Sequence, residues 1–190
     1  KYWDMFTLET LNENEDLIAQ HLENLFAKSV KRRLISDVPL GAYLSGGIDS
    51  SAIVGMMRKV QGKDAEIKTF SVGFGYGEEI DELNYAKIVA ENYNTNHSEI
   101  IVKSDIITEL PKIIWYSDEP IADPAMIPVY LLSQKAKQSV TVILTGDGGD
   151  ELFAGYEQYK HLPFLRKIKL PQSFNKIFFP IAMNITPKFI

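Results

Sequence analysis

Cysteine is missing from this sequence of 190 residues. Its absence excludes disulfides, thiolate zinc sites and a thiol nucleophile within the chain. No apolar run reaches the length of a membrane span and no signal peptide opens the chain, so we expect a cytoplasmic location without membrane contact. A basic excess is also missing, because 25 acidic residues outnumber 20 basic ones and the net charge is −5. Nucleic acid is therefore disfavoured as the main partner.

The composition that remains, 45% hydrophobic and 24% charged, is typical of one soluble domain. Strand-like and helix-like stretches alternate along it. The predicted strands are 38–44, 67–74, 97–102 and 140–144, and the predicted helices are 14–35, 48–60, 81–93 and 105–116, the last interrupted by Pro111. Such alternation predicts an α/β fold with a parallel sheet, helices on both faces and ligands at the carboxyl ends of the strands.

The most informative stretch joins the first predicted strand to the helix after it. It reads Leu44-Ser45-Gly46-Gly47-Ile48-Asp49-Ser50-Ser51. Two adjacent glycines let the backbone approach a ligand closely, and the free amides of a helix start favour phosphate or pyrophosphate. The polar residues of the first turn, Asp49, Ser50 and Ser51, are expected to satisfy free amides there, and the serine hydroxyls add donors. The stretch therefore predicts a phosphate-binding loop.

This loop differs from the common nucleotide loop because no lysine follows its glycines. Asp49 is the unexpected member, since a carboxylate repels phosphates unless a hard cation lies between them. The loop therefore predicts Mg²⁺ together with the phosphate ligand. A plain Gly-Ser turn between strand and helix is the alternative.

The segment Ser45-Gly46-Gly47-Ile48-Asp49-Ser50 resembles the SGGxDS signature of the ATP pyrophosphatases, which cleave ATP between its α and β phosphates. The resemblance implies their fold, the PP-loop or adenine nucleotide alpha hydrolase type, in which a twisted parallel sheet carries helices on both faces. It also implies that the backbone at the end of the second strand reads adenine. In this sequence that role falls to Val72, Gly73 and Phe74.

A second motif follows the last predicted strand. It reads Thr145-Gly146-Asp147-Gly148-Gly149-Asp150-Glu151-Leu152-Phe153-Ala154-Gly155-Tyr156. By itself it could be a solvated acidic turn in which Asp150 or Glu151 caps a helix. Beside a loop that predicts a metal, we expect Asp49 and Asp150 to share the Mg²⁺ ions that bridge the leaving pyrophosphate.

The stretch GDGGDELFAGY narrows the resemblance to the synthetase domain of glutamine-dependent asparagine synthetases, over about residues 36 to 160. That family implies ATP and aspartate as substrates, with the aspartate side chain adenylated and then amidated by ammonia. An N-terminal glutaminase domain, which this chain lacks, would supply the ammonia. The implied catalytic residues are Asp147, Asp150 and Glu151, with Asp147 standing where many members have Glu. Further implied ATP-binding residues are Leu44, Ser45, Gly46, Gly47, Asp49, Ser50, Ser51, Thr145 and Gly146.

The predicted organisation has three parts. Residues 1–35 are a linker and a leading helix whose apolar face includes Leu17, Leu22, Leu25 and Val30; His21 beside it is expected to pack. Residues 36–160 are the ATP pyrophosphatase core. Residues 161–190 begin a truncated helical part that is apolar enough to need a partner surface, either the missing part or a second subunit in a homodimer.

Three alternatives stay open on the sequence alone. The same scaffold could adenylate a different carboxylate, as in lactam-forming synthetases and other amidotransferases. It could be an ATP-binding module without turnover, or an interaction domain that reuses the fold. Two carboxylates near the phosphates favour a catalytic role over ATP binding without turnover.

Overall fold

A four-stranded sheet organises the chain, and the computed structural model describes residues 12–74, 82–102, 108–119, 123–157 and 159. The predicted linker of residues 1–11 and the predicted terminal part of residues 161–190 lie outside the described residues. The elements are α1 (Glu15–Arg33), β1 (Leu40–Tyr43), α2 (Ile48–Gln61), β2 (Lys68–Gly73), α3 (Leu83–Asn92), β3 (Asn96–Ile101), α4 (Leu110–Tyr116), α5 (Met126–Ala136), β4 (Val142–Leu144) and α6 (Gly149–Phe153). The chain divides into two compact units, residues 1–146 and 147–190.

The sheet has the strand order β3-β2-β1-β4, and each neighbouring pair is parallel. Ala42 of β1 pairs with Thr69 of β2 on one side and with Leu144 of β4 on the other. The chain adds strands on one side of β1 and then returns to place β4 on its other side. The direction of winding therefore reverses between β1 and β4, which is the position where open α/β sheets bind ligands.

Side chains of the strands alternate between two separate buried clusters. Ala42 and Leu44 contribute to one cluster, which is completed by residues of α1, α2 and α3 such as Val30, Met57 and Ala86. The second cluster lies on the opposite face, where Phe70 is buried with two residues of α5, Leu132 and Ala136. Since successive strand residues point to opposite faces, helices cover both sides of the sheet. The predicted α/β class with a parallel sheet is confirmed.

The leading helix α1 is less buried than its sequence pattern predicts. Val30 is its one buried residue, and Phe26, Ala27 and Leu34 pack at the edge of the first cluster. The earlier part of the predicted apolar face is open to solvent, with exposed fractions of 49% for Leu17, 45% for Leu22 and 64% for Leu25. His21, which was expected to pack, has an exposed side chain 3.5 Å from Glu13.

Pro111 does not interrupt a helix, contrary to the sequence prediction. It occupies the first turn of α4, where a missing backbone N–H costs nothing because that group has no intrahelical acceptor. The predicted start of this helix at residue 105 lies outside the described residues. Strands β1, β2 and β4 are shorter than predicted, whereas β3 keeps the predicted six residues but begins one residue earlier, at Asn96.

Arg58 joins the ends of two helices through backbone carbonyls. Its Nε donates to Tyr93 at 2.8 Å and Nη2 donates to Asn94 at 2.8 Å, just after α3. Nη1 donates to Gly62 at 2.8 Å and to Ala65 at 2.7 Å, just after α2. Gly62 and Asn94 both have positive φ, so one guanidinium holds two left-handed turns.

We expect Arg58→Met to lower the free energy of unfolding by about 2–3 kcal/mol, because several carbonyls lose a charged donor while the aliphatic stem is kept. Urea denaturation monitored by circular dichroism measures this. Lys59→Met is the matched control: Lys59 forms an exposed ion pair with Glu23 at 2.5 Å, and its loss should change stability by less than about 1 kcal/mol. Equal effects of the two substitutions would contradict the role given to Arg58.

A small polar cluster lies between α3 and the strands β2 and β3. Thr69 is fully buried, and its hydroxyl lies 2.8 Å from Oγ1 of Thr95 and 2.9 Å from Nδ1 of His97. Within the described part of the chain Nε2 of His97 is buried without a hydrogen-bond partner, and Oε1 of Glu99 is 3.6 Å away from it. Burial lowers the pKa of His97, and the Glu99 carboxylate only partly opposes this.

This cluster predicts a loss of stability in mild acid. The folded protein binds a proton at His97 less readily than the unfolded chain, so the contribution of His97 is complete above the ordinary pKa of about 6.5 and is lost as the pH falls through the lower folded value. His97→Gln should therefore reduce the fall in unfolding free energy between about pH 7 and about pH 5. His21→Gln, at an exposed histidine, should leave that fall unchanged; identical slopes for all three proteins would refute the prediction.

Candidate functional site

The glycine-rich loop after β1 is held in shape by two serine hydroxyls. Ser50 donates its hydroxyl to the carbonyl of Gly47 at 3.2 Å and accepts the backbone N–H of Ser45 at 3.2 Å. The two serine oxygens are 2.9 Å apart, and Oγ of Ser45 accepts the N–H of Gly47 at 3.2 Å. The loop is thus fixed in shape by its own side chains.

The start of α2 carries no side-chain cap. Of the three residues expected to satisfy free amides, Asp49, Ser50 and Ser51, Ser50 alone accepts one among the described residues, and that amide is the N–H of Ser45 in the loop rather than one of the helix start. Oγ of Ser51 is buried without a partner among the described residues. Free amides at the end of a 14-residue helix, with the positive end of its dipole, suit an anion. The site therefore fits the predicted phosphate ligand.

Two glycines permit close packing around this helix start. Gly46 has φ of +83°, and a Cβ added to it would lie 2.5 Å from Cβ of Tyr85 and 2.6 Å from the backbone nitrogen of Ala86. A Cβ added to Gly146 would lie 2.9 Å from Cβ of Asp49. The end of β4 thus reaches the first turn of α2, and the first residues of α3 support the loop from another side. Sequence reasoning missed the role of Tyr85, since nothing in the sequence places α3 against the loop.

The residues expected to read adenine lie at the end of β2. Gly73 is buried and its carbonyl accepts the N–H of Val102 at 2.8 Å, whereas Phe74 is 42% exposed. Leu44 is buried, with its N–H donated to Phe70 and its carbonyl bonded by the hydroxyl of Ser71. The structure brings the ends of β1 and β2 side by side, and their roles toward adenine stay predictions.

The second compact unit begins with the acidic motif. Gly148 adopts a left-handed conformation and α6 follows, with Asp150 half-buried in its first turn while Asp147 and Glu151 are exposed. Tyr156 donates its hydroxyl to Oε1 of Glu151 at 2.6 Å. This hydrogen bond lowers the pKa of Glu151 and raises the pKa of Tyr156 to about 12. Glu151 is therefore held in its charged form.

The two predicted metal ligands belong to different compact units, Asp49 to the first and Asp150 to the second. Among residues 12–74, 82–102, 108–119 and 123–157, no group of three or more acidic or histidine side chains could hold a metal ion. Mg²⁺ in phosphate-transfer sites usually takes only one or two carboxylates and completes its shell with phosphates and water. Asp49, half-buried beside the free amides, fits that pattern.

Comparison with known proteins identifies the family. The family model described as asparagine synthase matches residues 21–182. The chain belongs to this family. The predicted resemblance to asparagine synthetases is thereby confirmed, and its extent is larger than the predicted range of residues 36–160.

Two relatives show how much of such a protein this chain spans. It is 39% identical over 170 residues to "Asparagine synthetase [glutamine-hydrolyzing] 1" of Bacillus subtilis, covering 88% of this chain and 26% of that protein. It is 31% identical over 153 residues to "Asparagine synthetase [glutamine-hydrolyzing] 3" of Arabidopsis thaliana, covering 75% of this chain and 26% of that protein. The chain thus spans about a quarter of the length of these relatives.

Among solved structures, a glutamine-dependent NAD⁺ synthetase of Acinetobacter baumannii bound to ADP is similar, with a TM-score of 0.49 and 20% identity over 81% of this chain and 31% of that one. None of the described helices is both long and apolar enough to cross a membrane.

Proposed function

We propose that this chain carries the ATP-binding and adenylating part of an enzyme that makes asparagine. The observation that supports it most is the uncapped start of α2, fixed by the Ser45–Ser50 network at the position where the sheet reverses its direction of winding. Because the chain belongs to the asparagine synthase family, we assign the phosphate chain of ATP as the anion for this position.

The proposed reaction has two steps. The side-chain carboxylate of aspartate attacks the α-phosphorus of ATP, the bond to the bridging oxygen breaks, and pyrophosphate leaves with the electron pair. Ammonia then attacks the acyl carbon of the adenylate, loses a proton, and expels AMP. Adenylation is needed because a free carboxylate is a poor acyl donor. The protein's contribution is to align the two reactants and to offset the charge that develops on pyrophosphate.

The residues divide by role in this proposal. Ser45, Gly46, Gly47, Ser50 and Ser51 bind the phosphates through amides and hydroxyls. Leu44, Val72, Gly73, Phe74, Thr145 and Gly146 complete the ATP-binding set. Asp49 and Asp150 are the proposed ligands of Mg²⁺, which when bound neutralises phosphate charge. Asp147, Asp150 and Glu151 are the proposed catalytic acids, and a glutaminase domain is the proposed source of ammonia.

The experiment that tests the proposal is exchange of labelled pyrophosphate into ATP in the full-length protein, with Mg²⁺ and aspartate but without ammonia. Exchange that requires aspartate would establish reversible adenylation of that acid. Exchange with another carboxylate only would keep the chemistry and change the substrate. ATP binding without exchange for any acid would overturn the proposed function in favour of a binding module.

A further inference from the structure

The chain reverses direction immediately after α6. Ala154 adopts the left-handed conformation with φ of +58°, and the N–H of Gly155 then donates to the backbone carbonyl of Asp150 at 3.0 Å. A Cβ added to Gly155 would lie 1.9 Å from Oδ1 of Asp150. The Asp150 side chain therefore lies directly against the backbone of Gly155, a contact that any other residue at that position would block.

The next residue completes this turn. The Tyr156 hydroxyl donates to Oε1 of Glu151 at 2.6 Å, a length typical of a charge-assisted bond between a hydroxyl and a carboxylate. Tyr156 is 39% exposed and Glu151 is exposed too, so neither group needs this partner to avoid an unsatisfied buried atom. The edge of the Tyr159 ring, 5.6 Å away between centroids, restricts the Tyr156 ring.

We propose that Tyr156 is a positioning residue, whose hydroxyl fixes the Glu151 carboxylate in one orientation while Gly155 leaves room for the Asp150 carboxylate beside it. This inference rests on the proposed function, in which both acids are catalytic. A glutamate side chain has three rotatable bonds. Holding its carboxylate in the reactive orientation beforehand lowers the entropic part of the activation barrier. The turn from Asp150 to Tyr156 thus orients two neighbouring carboxylates.

The test is Tyr156→Phe in the full-length protein, which removes the hydroxyl and keeps the ring. We expect kcat for asparagine formation to fall about tenfold, with KM for ATP changed less than about twofold, because Tyr156 acts through Glu151 on the reacting groups. Tyr159→Phe is the matched control and should retain full activity. In a Glu151→Gln background, Tyr156→Phe should cause no further loss, since the group it positions is already gone.

A second measurement does not depend on activity. The Cζ resonance of labelled Tyr156 should stay unchanged up to about pH 11 in the wild-type protein and should titrate near pH 10 in Glu151→Gln. Titration at the same pH in both proteins would overturn the contact itself. A normal contact with additive losses in the double variant would overturn the positioning role. Absence of pyrophosphate exchange with every acid in the wild-type protein would instead overturn the proposed function, and the positioning role with it.

Discussion

Asp49→Asn should lower aspartate-dependent pyrophosphate exchange by about 10²- to 10³-fold, the usual cost of removing one electrostatic contact to the charge that develops in a transition state. Asp49 is half-buried in the first turn of α2, beside free backbone amides. A carboxylate there repels phosphate unless a cation lies between them. Its removal should therefore leave the affinity for ATP in the absence of metal unchanged or higher.

The dependence of ATP affinity on Mg²⁺ is the sharper measurement. Titration calorimetry of the wild-type protein should show tighter ATP binding as Mg²⁺ is added, and Asp49→Asn should lose most of that gain. Asp64→Asn is the matched control, because it removes the same charge from an exposed loop after α2. Exchange within about twofold of wild type in Asp49→Asn would exclude Asp49 as a metal ligand, since metal-site carboxylates have far larger effects.

The sequence was sufficient to predict the strand, loop and helix at the centre of the fold, because neighbouring sequence signals indicate the same structure. The apolar run before Leu44, the glycine pair and the helical spacing after Ile48 all predict strand, turn and helix, and the structure has β1 and α2 there. The position of β4 beside β1 depends on pairing across about a hundred residues, which no local pattern encodes. The contact of Gly146 with Asp49 follows from that pairing, so local sequence patterns could not predict it either.

The exposure of α1 shows a different limit. Spacing identifies which face of a helix is apolar, but it does not say whether another element covers that face. Val30 is buried by the first cluster, whereas Leu25 on the same predicted face is 64% exposed. The contact between Tyr156 and Glu151 could not be predicted from the sequence either. It requires a left-handed conformation at Ala154, and alanine has no preference that would indicate such a conformation.

Gly46→Ala tests the packing that shapes the phosphate-binding loop. Two penalties act together at this position: a positive φ, which costs an L residue about 1–2 kcal/mol, and a clash with backbone and Cβ atoms of α3 that no side-chain rotation can relieve. We expect the free energy of unfolding to fall by about 3–5 kcal/mol in total, with ATP binding lost even where the variant stays folded.

Gly62→Ala separates the two penalties. Gly62 has φ of +88°, close to the +83° of Gly46, but a Cβ added there would meet no atom within 4 Å. With ψ of 176°, Gly62 lies in a region that glycine alone commonly occupies, so its substitution should cost a backbone term of about 1–3 kcal/mol without a clash, and should spare ATP binding. The difference between the two variants in urea denaturation measures the contact with Tyr85 and Ala86. Equal losses of stability in the two variants would show that α3 does not support the loop, whereas a larger loss in Gly46→Ala would show that the start of α3 holds the phosphate-binding loop in shape.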